Sequence, residues 1–242
     1  DNLFVWDYCT NFRNFLLPHP NLQVLGDNIR FFRDNRVRGV FEQQCTTSPH
    51  TEMQELRGYM IAKALWNPDC DTEQAQSEFL SAWFGAAGTA ISQYIRLLQE
   101  AVREGGHHLL MSTMPRNPAD IPNSVRSSLT SSWYETLVAR GEQPPEFGLA
   151  DFLNAETLAR AGELFDLAER LADDETVLRR VRIARLPLKF AAFSMMAPGD
   201  PRRLPLVDEF YDECVQYGVT EVKEARILSV SRAASAENRV FY

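Results

Sequence analysis

Short β-rich runs and one helical pattern alternate over the first 50 residues. Residues 3–8 (LFVWDY) are mostly aromatic and aliphatic, which predicts a strand. Apolar residues recur with the helical period over residues 22–33, and residues 37–43 (VRGVFEQ) form a second strand candidate. A strand, a helix and a strand over this length predict a βαβ unit, in which the strands are parallel and the crossover is right-handed.

Helical periodicity dominates from residue 51 onward. Thr51 and Gln54 have the spacing of a capping box, which predicts a helix start. Glu52 and Glu55 are interpreted as an exposed acidic pair that favours the dipole of this helix. The remaining helices are predicted from Asp71, over residues 86–104, 155–172 and 175–196, and after Pro205.

Two domains are expected from this pattern. Residues 1–50 form an α/β start, and residues 51–242 form a helical domain with an irregular segment at about 105–150, so the chain is mostly α-helical overall. Two parallel strands are not expected to be stable alone, because parallel sheets are covered on both faces. Either the helices pack on a two-stranded remnant, or the pair is the last part of a TIM-like barrel with earlier strands upstream. The second alternative is favoured.

The composition is that of an ordinary folded protein, with 45% hydrophobic and 24% charged residues. The net charge is −8 and lysines and arginines form no stripe, so no nucleic-acid partner is expected. Apolar runs are far shorter than the ~18 residues that cross a bilayer, so no membrane partner is expected. The sequence begins with Asp1 rather than Met, which indicates a removed leader or a piece of a longer polypeptide.

The cysteines and histidines have no metal-binding spacing. Four scattered cysteines include no CxxC pair, which argues against zinc and thioredoxin-like chemistry. Cys9 and Cys45 follow the two strands, and their pairing in a disulfide stays open. His107 and His108 lack a third ligand and are interpreted as a solvated loop. Because Ser-His-Asp, Walker and dinucleotide fingerprints are also missing, no metal and no cofactor are predicted.

Seven segments, taken in order, carry a resemblance to a known family. They are residues 6–8 (WDY), 18–22 (PHPNL), 39–43 (GVFEQ), 55–59 (ELRGY), 64–68 (ALWNP), 78–80 (EFL) and 84–87 (FGAA). Together they resemble an uncharacterised bacterial family, a domain of unknown function in large, usually exported proteins. Residues 3–104 carry most of this resemblance, and the helices over 155–196 agree more loosely.

That family is similar in outline to glycoside hydrolases of the alpha-glucuronidase and beta-hexosaminidase type. The resemblance implies a (β/α)₈ barrel followed by a helical region, a glycan or oligosaccharide partner, and a periplasmic or extracellular location. It also implies that upstream barrel strands or domains of the same protein are partners. In enzymes of this kind the catalytic acid pair usually comes from earlier strands, so the catalytic residues stay unknown.

In a barrel, the functional rim is the C-terminal end of each strand. Here the rim would present aromatic rings beside carboxyl and amide groups, which suits a sugar. The candidate substrate-binding residues are therefore Trp6, Asp7, Tyr8, Glu42 and Gln43. The alternative is that the aromatic rings fill the barrel or pack under the helices. Asp7 has the opposite strand parity to Trp6 and Tyr8, so the three share a face only if the strand has ended.

Two functions are consistent with these observations. The first is part of a carbohydrate-active, glycoside-hydrolase-like protein whose rim residues orient a sugar. The second is a non-catalytic helical structural or interaction module of a larger exported protein. Whether the chain is itself part of an enzyme stays open.

Overall fold

Two parallel strands with one helix between them open the chain. The computed structural model describes residues 2–115, 140, 149–197 and 199–236. In it β1 (Phe4–Tyr8) pairs in parallel with β2 (Gly39–Gln43), and α1 (Leu22–Asp34) connects them, which confirms the predicted βαβ unit. Across this part of the chain neither strand pairs with a third, so the sheet has two open edges.

Helices make up most of the described chain after β2, as predicted. A 3₁₀ turn (Gly85–Ala87) separates α3 from α4, and the described part of the tail contains two short strands and a helix. The elements are α2 (Gln54–Trp66), α3 (Thr72–Phe84), α4 (Gly88–Glu104), α5 (Ala155–Leu171), α6 (Glu175–Ser194), α7 (Arg203–Tyr217), the antiparallel β3 (Glu221–Lys223) and β4 (Arg226–Ile227), and α8 (Leu228–Ala236).

Side-chain caps define several helix starts. The Asp71 carboxylate accepts a hydrogen bond from the Gln74 N–H at 2.9 Å, which confirms the predicted start of α3. The predicted cap of α2 is wrong, because the residue before this helix is Met53, in left-handed conformation, and not Thr51. Only half of the capping box forms: the Gln54 side chain accepts from the Thr51 N–H at 3.1 Å.

The main core lies among the helices, with α6 packed between α5 and α7 and also in contact with α3. Pro187 is buried inside α6, which continues as one helix to Ser194. Near this end, aromatic rings of α6 and α7 form a fully buried cluster. Its members are Phe190, Phe193, Phe210 and Tyr211.

The loop between β1 and α1, residues 9–21, is buried although it has no regular structure; we refer to it as the β1–α1 loop. The Phe12 N–H donates to the Met111 carbonyl at 2.8 Å, and the Phe15 N–H donates to the Val222 carbonyl at 2.9 Å. The Phe15 carbonyl accepts from the Glu52 N–H at 2.9 Å. Because buried backbone groups need such partners, the loop connects the βαβ unit with three separate parts of the helical region.

Most of the segment predicted to be irregular lies outside the described residues. Its two described ends lie side by side, because the Ala150 N–H donates to the Met114 carbonyl at 2.8 Å. No helix in the ranges described is both long enough and apolar enough to span a bilayer.

Truncation of the aromatic cluster tests the importance of this core. Phe210 is fully buried and its ring centroid lies 4.9 Å from that of Tyr211, so Phe210→Ala leaves a cavity. We expect a loss of about 3–5 kcal/mol in the free energy of unfolding, measured by urea denaturation. Phe31→Ala is the control, because Phe31 is 62% exposed. An equal loss for both variants would contradict this description of the core.

Candidate functional site

The C-terminal ends of β1 and β2 present the five predicted site residues on two opposite faces. β1 extends through Tyr8, so its side chains alternate to the end of the strand. The register places Tyr8 opposite Gln43 and Asp7 opposite Glu42. Trp6, Tyr8 and Gln43 therefore share one face, and Asp7 and Glu42 share the other, as the strand parity indicated.

The first face is aromatic and exposed; we call Phe4, Trp6, Tyr8 and Phe41 the aromatic face. Trp6 is 63% and Tyr8 44% exposed. The Trp6 ring lies 5.0 Å from the Phe41 ring in edge-to-face geometry, and its Nε1–H donates to the Gln43 Oε1 at 2.6 Å. This hydrogen bond orients the indole, so the face combines a large open apolar surface with a fixed amide group.

The second face carries a pair of carboxyl groups. Asp7 and Glu42 are directly opposite each other in the register and are both partly buried. Burial raises the pKa of Glu42 to about 7, and the neighbouring Asp7 charge acts in the same direction. The Glu42 Oε1 is buried without a hydrogen-bond partner. Glu42 can therefore exchange a proton near neutral pH, which is the property of a general acid or base.

A fully buried ion pair lies next to the strand ends. The Arg57 guanidinium of α2 contacts the Glu52 carboxylate and the Glu52 carbonyl, and it donates to the His19 carbonyl at 3.1 Å. Its Nε–H also donates to the Asn21 Oδ1 at 3.3 Å. The Asn21 Nδ2 in turn donates to the Cys9 carbonyl at 3.1 Å. Arg57 thus links α2 to both ends of the β1–α1 loop.

His19 and Cys9, which lie beside this ion pair, do not exchange protons near pH 7. Burial, with the Arg57 charge, lowers the pKa of His19 to about 3, so its imidazole is neutral. Burial raises the pKa of Glu52, and Arg57 opposes this rise. Burial raises the pKa of the Cys9 thiol to about 11, so it is no thiolate nucleophile. Cys9 and Cys45 are both free, so no disulfide joins them.

Sequence reasoning misread Glu52 and did not identify Arg57 as a site residue. The interpretation of Glu52 as an exposed dipole partner is wrong, because Glu52 is only 3% exposed and pairs with Arg57. Glu55 instead pairs with His50 at 2.9 Å. The ELRGY motif contains Arg57, but nothing in its spacing distinguishes a buried arginine from a solvated one.

The histidines after α4 do not form a metal site in the part of the chain that is described. The His107 ring lies 6.1 Å from the Phe152 ring. Among the described residues, no group of three His, Cys, Asp or Glu side chains is placed to hold a metal ion.

The fold defines a mostly helical protein that opens with a βαβ unit. Residues 1–96 match the model of a family described as Domain of unknown function (DUF4838). The match runs from the start of the chain into α4, and it supports the resemblance to an uncharacterised family that the motifs indicated. No curated protein and no solved structure matches the chain. The expected likeness to glycoside hydrolases has no support from these comparisons and stays a prediction.

Removal of Arg57 tests the role of the buried pair. Arg57→Met leaves the Glu52 carboxyl buried without its partner, so we expect a loss of about 3–5 kcal/mol in the free energy of unfolding. Arg57→Met combined with Glu52→Leu is expected to recover only part of this loss. The unpaired carboxyl is then removed, but the carbonyls of His19 and Glu52 still lack the donor that Arg57 supplied.

The matched control is the exposed ion pair of Arg33 with Asp69, at 2.7 Å. Arg33→Met is expected to change the free energy of unfolding by less than about 1 kcal/mol. Urea denaturation of the variants measures all of these values. If Arg57→Met costs no more than Arg33→Met, the buried pair does not hold the loop.

Titration of Glu42 tests the carboxyl pair. The ¹³C NMR signal of the Glu42 carboxyl is expected to titrate with a pKa of about 7 in the wild type. Asp7→Asn removes the neighbouring negative charge, so the pKa of Glu42 is expected to fall in this variant. A Glu42 pKa at its ordinary value near 4.5 would contradict the described environment.

The same shift predicts a pH dependence of stability. Between about pH 4.5 and 7 the folded protein keeps the Glu42 proton that the unfolded chain loses, so the Glu42 contribution to the free energy of unfolding falls as pH rises. Glu42→Gln removes this dependence. We expect the free energy of unfolding of this variant, relative to wild type, to increase across that window by less than about 3 kcal/mol, because solvent screens a half-buried carboxyl. A constant difference from pH 4 to 8, measured by urea denaturation, would refute this assignment.

Proposed function

We propose that this chain is part of a larger carbohydrate-active, glycoside-hydrolase-like protein. In this proposal residues 1–50 form the last βα units of a TIM-like barrel, and the end of the aromatic face near the strand C-termini binds a glycan. The observation that carries the proposal is the exposed Trp6, oriented by its hydrogen bond to Gln43 and flanked by Tyr8.

The unpaired edges and the exposed aromatic residues of the sheet support the barrel part of the proposal. A parallel pair normally lies within a larger sheet that is covered on both faces. Here Phe4 and Phe41 are exposed, and no third strand pairs with β1 or β2 in the described chain. Further parallel strands of the same protein would pair with these edges, and the barrel that they complete would cover Phe4, at the N-terminal end of β1. Trp6 and Tyr8 would then lie at the mouth, where barrel enzymes bind substrates.

The chemistry of the exposed end supports the glycan. The flat indole of Trp6 suits the C–H face of a sugar ring, and the Gln43 amide and Tyr8 hydroxyl can bond its hydroxyl groups. We also propose that the protein acts in the periplasm or outside the cell, and this location rests on the resemblance to usually exported proteins.

Asp7 and Glu42 have a different part in this proposal. They lie on the opposite face from Trp6, so they do not flank a bond of a sugar stacked on the indole. We propose that Asp7 and Glu42 position the C-terminal ends of β1 and β2, which carry Trp6 and Gln43. The catalytic acid pair, which must flank the scissile bond, is expected on other strands of the larger protein.

A second candidate function is an interaction module without chemistry of its own. The observation in its favour is the same aromatic face, because exposed apolar surfaces of this kind also bind other proteins. The two candidates differ in what Trp6 recognises: a sugar in the first, and a protein surface in the second.

Affinity electrophoresis of the chain through gels that contain soluble polysaccharides distinguishes them. We expect at least one polysaccharide to retard the wild type, and Trp6→Ala to weaken this binding about tenfold through lost stacking. Trp66→Ala is the control, because Trp66 is 92% exposed and lies at the end of α2 rather than on either strand. Absence of retardation, or equal effects of both substitutions, would refute the glycan site and leave the interaction module.

A further inference from the structure

A cavity of about 280 Å³ lies where α2, α3 and α6 meet. Its walls are mainly apolar, and Phe79 and Trp83 of α3 contribute two stacked rings, 5.5 Å apart with an interplanar angle of 21°. Leu56 of α2 and Ala184 of α6 line the other sides. Since an apolar cavity of about 150 Å³ can hold benzene, this cavity has room for one or two aromatic rings.

Two arginines from the first half of α6, Arg179 and Arg180, also line the cavity. The Arg180 guanidinium lies 4.0 Å from the centre of the Trp83 ring and donates to the Trp83 carbonyl at 2.9 Å. The Arg179 guanidinium lies 5.5 Å from the Tyr217 ring and donates to the Tyr217 carbonyl at 3.4 Å. These contacts orient both guanidinium groups and leave several of their N–H donors for an anion.

The remaining cations of α6 are all neutralised, in contrast to these two. Arg182 pairs with Glu169 at 3.6 Å, Arg185 pairs with Glu169 at 2.7 Å, and Lys189 pairs with two acidic residues of α7 at 2.7 Å. Within the described residues no carboxylate pairs with either cavity arginine. The positive charge of α6 that is left without an acidic partner is therefore confined to the cavity end of the helix.

The acidic residue that lines the cavity is already partnered. The Glu55 carboxylate bonds the His50 imidazole at 2.9 Å and forms no ion pair with Arg179 or Arg180, so the described lining has two guanidinium groups against one carboxylate. The site thus combines an apolar, ring-lined interior with a net cationic wall.

We propose that this cavity binds a small aromatic carboxylate, with one or two rings against Phe79 and Trp83 and the carboxylate bonded by Arg180 and Arg179. Planar guanidinium groups match carboxylates through paired N–H donors, and the ring-lined interior suits an aryl group better than a sugar. The site shares no residue with the aromatic face, so it is independent of the proposed glycan site.

Isothermal titration calorimetry of the whole chain with naphthoate tests this proposal. We expect saturable binding, and about tenfold or greater weakening when the probe is naphthylmethanol, which keeps the rings and lacks the charge. Arg180→Gln is expected to weaken naphthoate binding by a similar factor. Arg182→Gln is the matched control on the same helix and is expected to leave the affinity unchanged, because Arg182 does not line the cavity.

Thr176→Trp is a second variant that tests the cavity and is expected to stay folded. Thr176 is an exposed residue of α6 that lines the cavity, so a large side chain there blocks entry without burial in the core. We expect this variant to keep the wild-type circular dichroism and to lose naphthoate binding. The proposal is overturned if the wild type does not bind naphthoate, if naphthylmethanol binds equally well, or if the folded Thr176→Trp variant binds unchanged.

Discussion

The structure depends on burying an irregular loop, and the Arg57 guanidinium makes this burial possible. A buried loop carries backbone carbonyl and N–H groups that need partners, since each unpaired group costs free energy. Arg57 bonds the carbonyls of His19 and Glu52 and the side chain of Asn21. Its charge is balanced by Glu52, which is buried with it. From one position on α2, Arg57 therefore supplies hydrogen bonds to two segments of the chain, the β1–α1 loop and the residues before α2.

This constraint determines how the βαβ unit joins the helices. Leu16 and Leu17 of the β1–α1 loop are fully buried in the main core, together with residues of α1 and α2. The N–H of Phe15 bonds the tail of the chain, within β3, and its carbonyl bonds the segment before α2. As a result, the β1–α1 loop, which lies at the C-terminal ends of the strands, attaches the strand pair to the helical region. Among the described residues the aromatic face of the strand pair is exposed and its outer edges pair with no third strand, which is the basis of the proposed function.

In β1 and in α6, residues that are close together in the sequence lie in different environments because their side chains point in different directions. In the sheet, adjacent residues of β1 are separated onto opposite faces, so that Glu42 acquires a raised pKa beside Asp7 while Trp6 stays exposed. In α6, arginines one turn apart have different environments. Arg182 and Arg185 meet acidic side chains of α5. Arg180 instead meets the Trp83 ring of α3, and Arg179 meets the Tyr217 ring of α7. Each difference in chemistry arises from which element packs against the residue.

Much of the secondary structure is set by local sequence, because periodicity, caps and helix-stopping residues act over a few positions. The parallel pairing of β1 and β2, the Asp71 cap and the separation of Asp7 from Trp6 could all be predicted from such local patterns. The burial of Glu52 with Arg57, the exposure of the aromatic face and the cavity beside Trp83 could not. They depend on which elements pack together across long sequence separations, and only the tertiary structure brings those partners into contact.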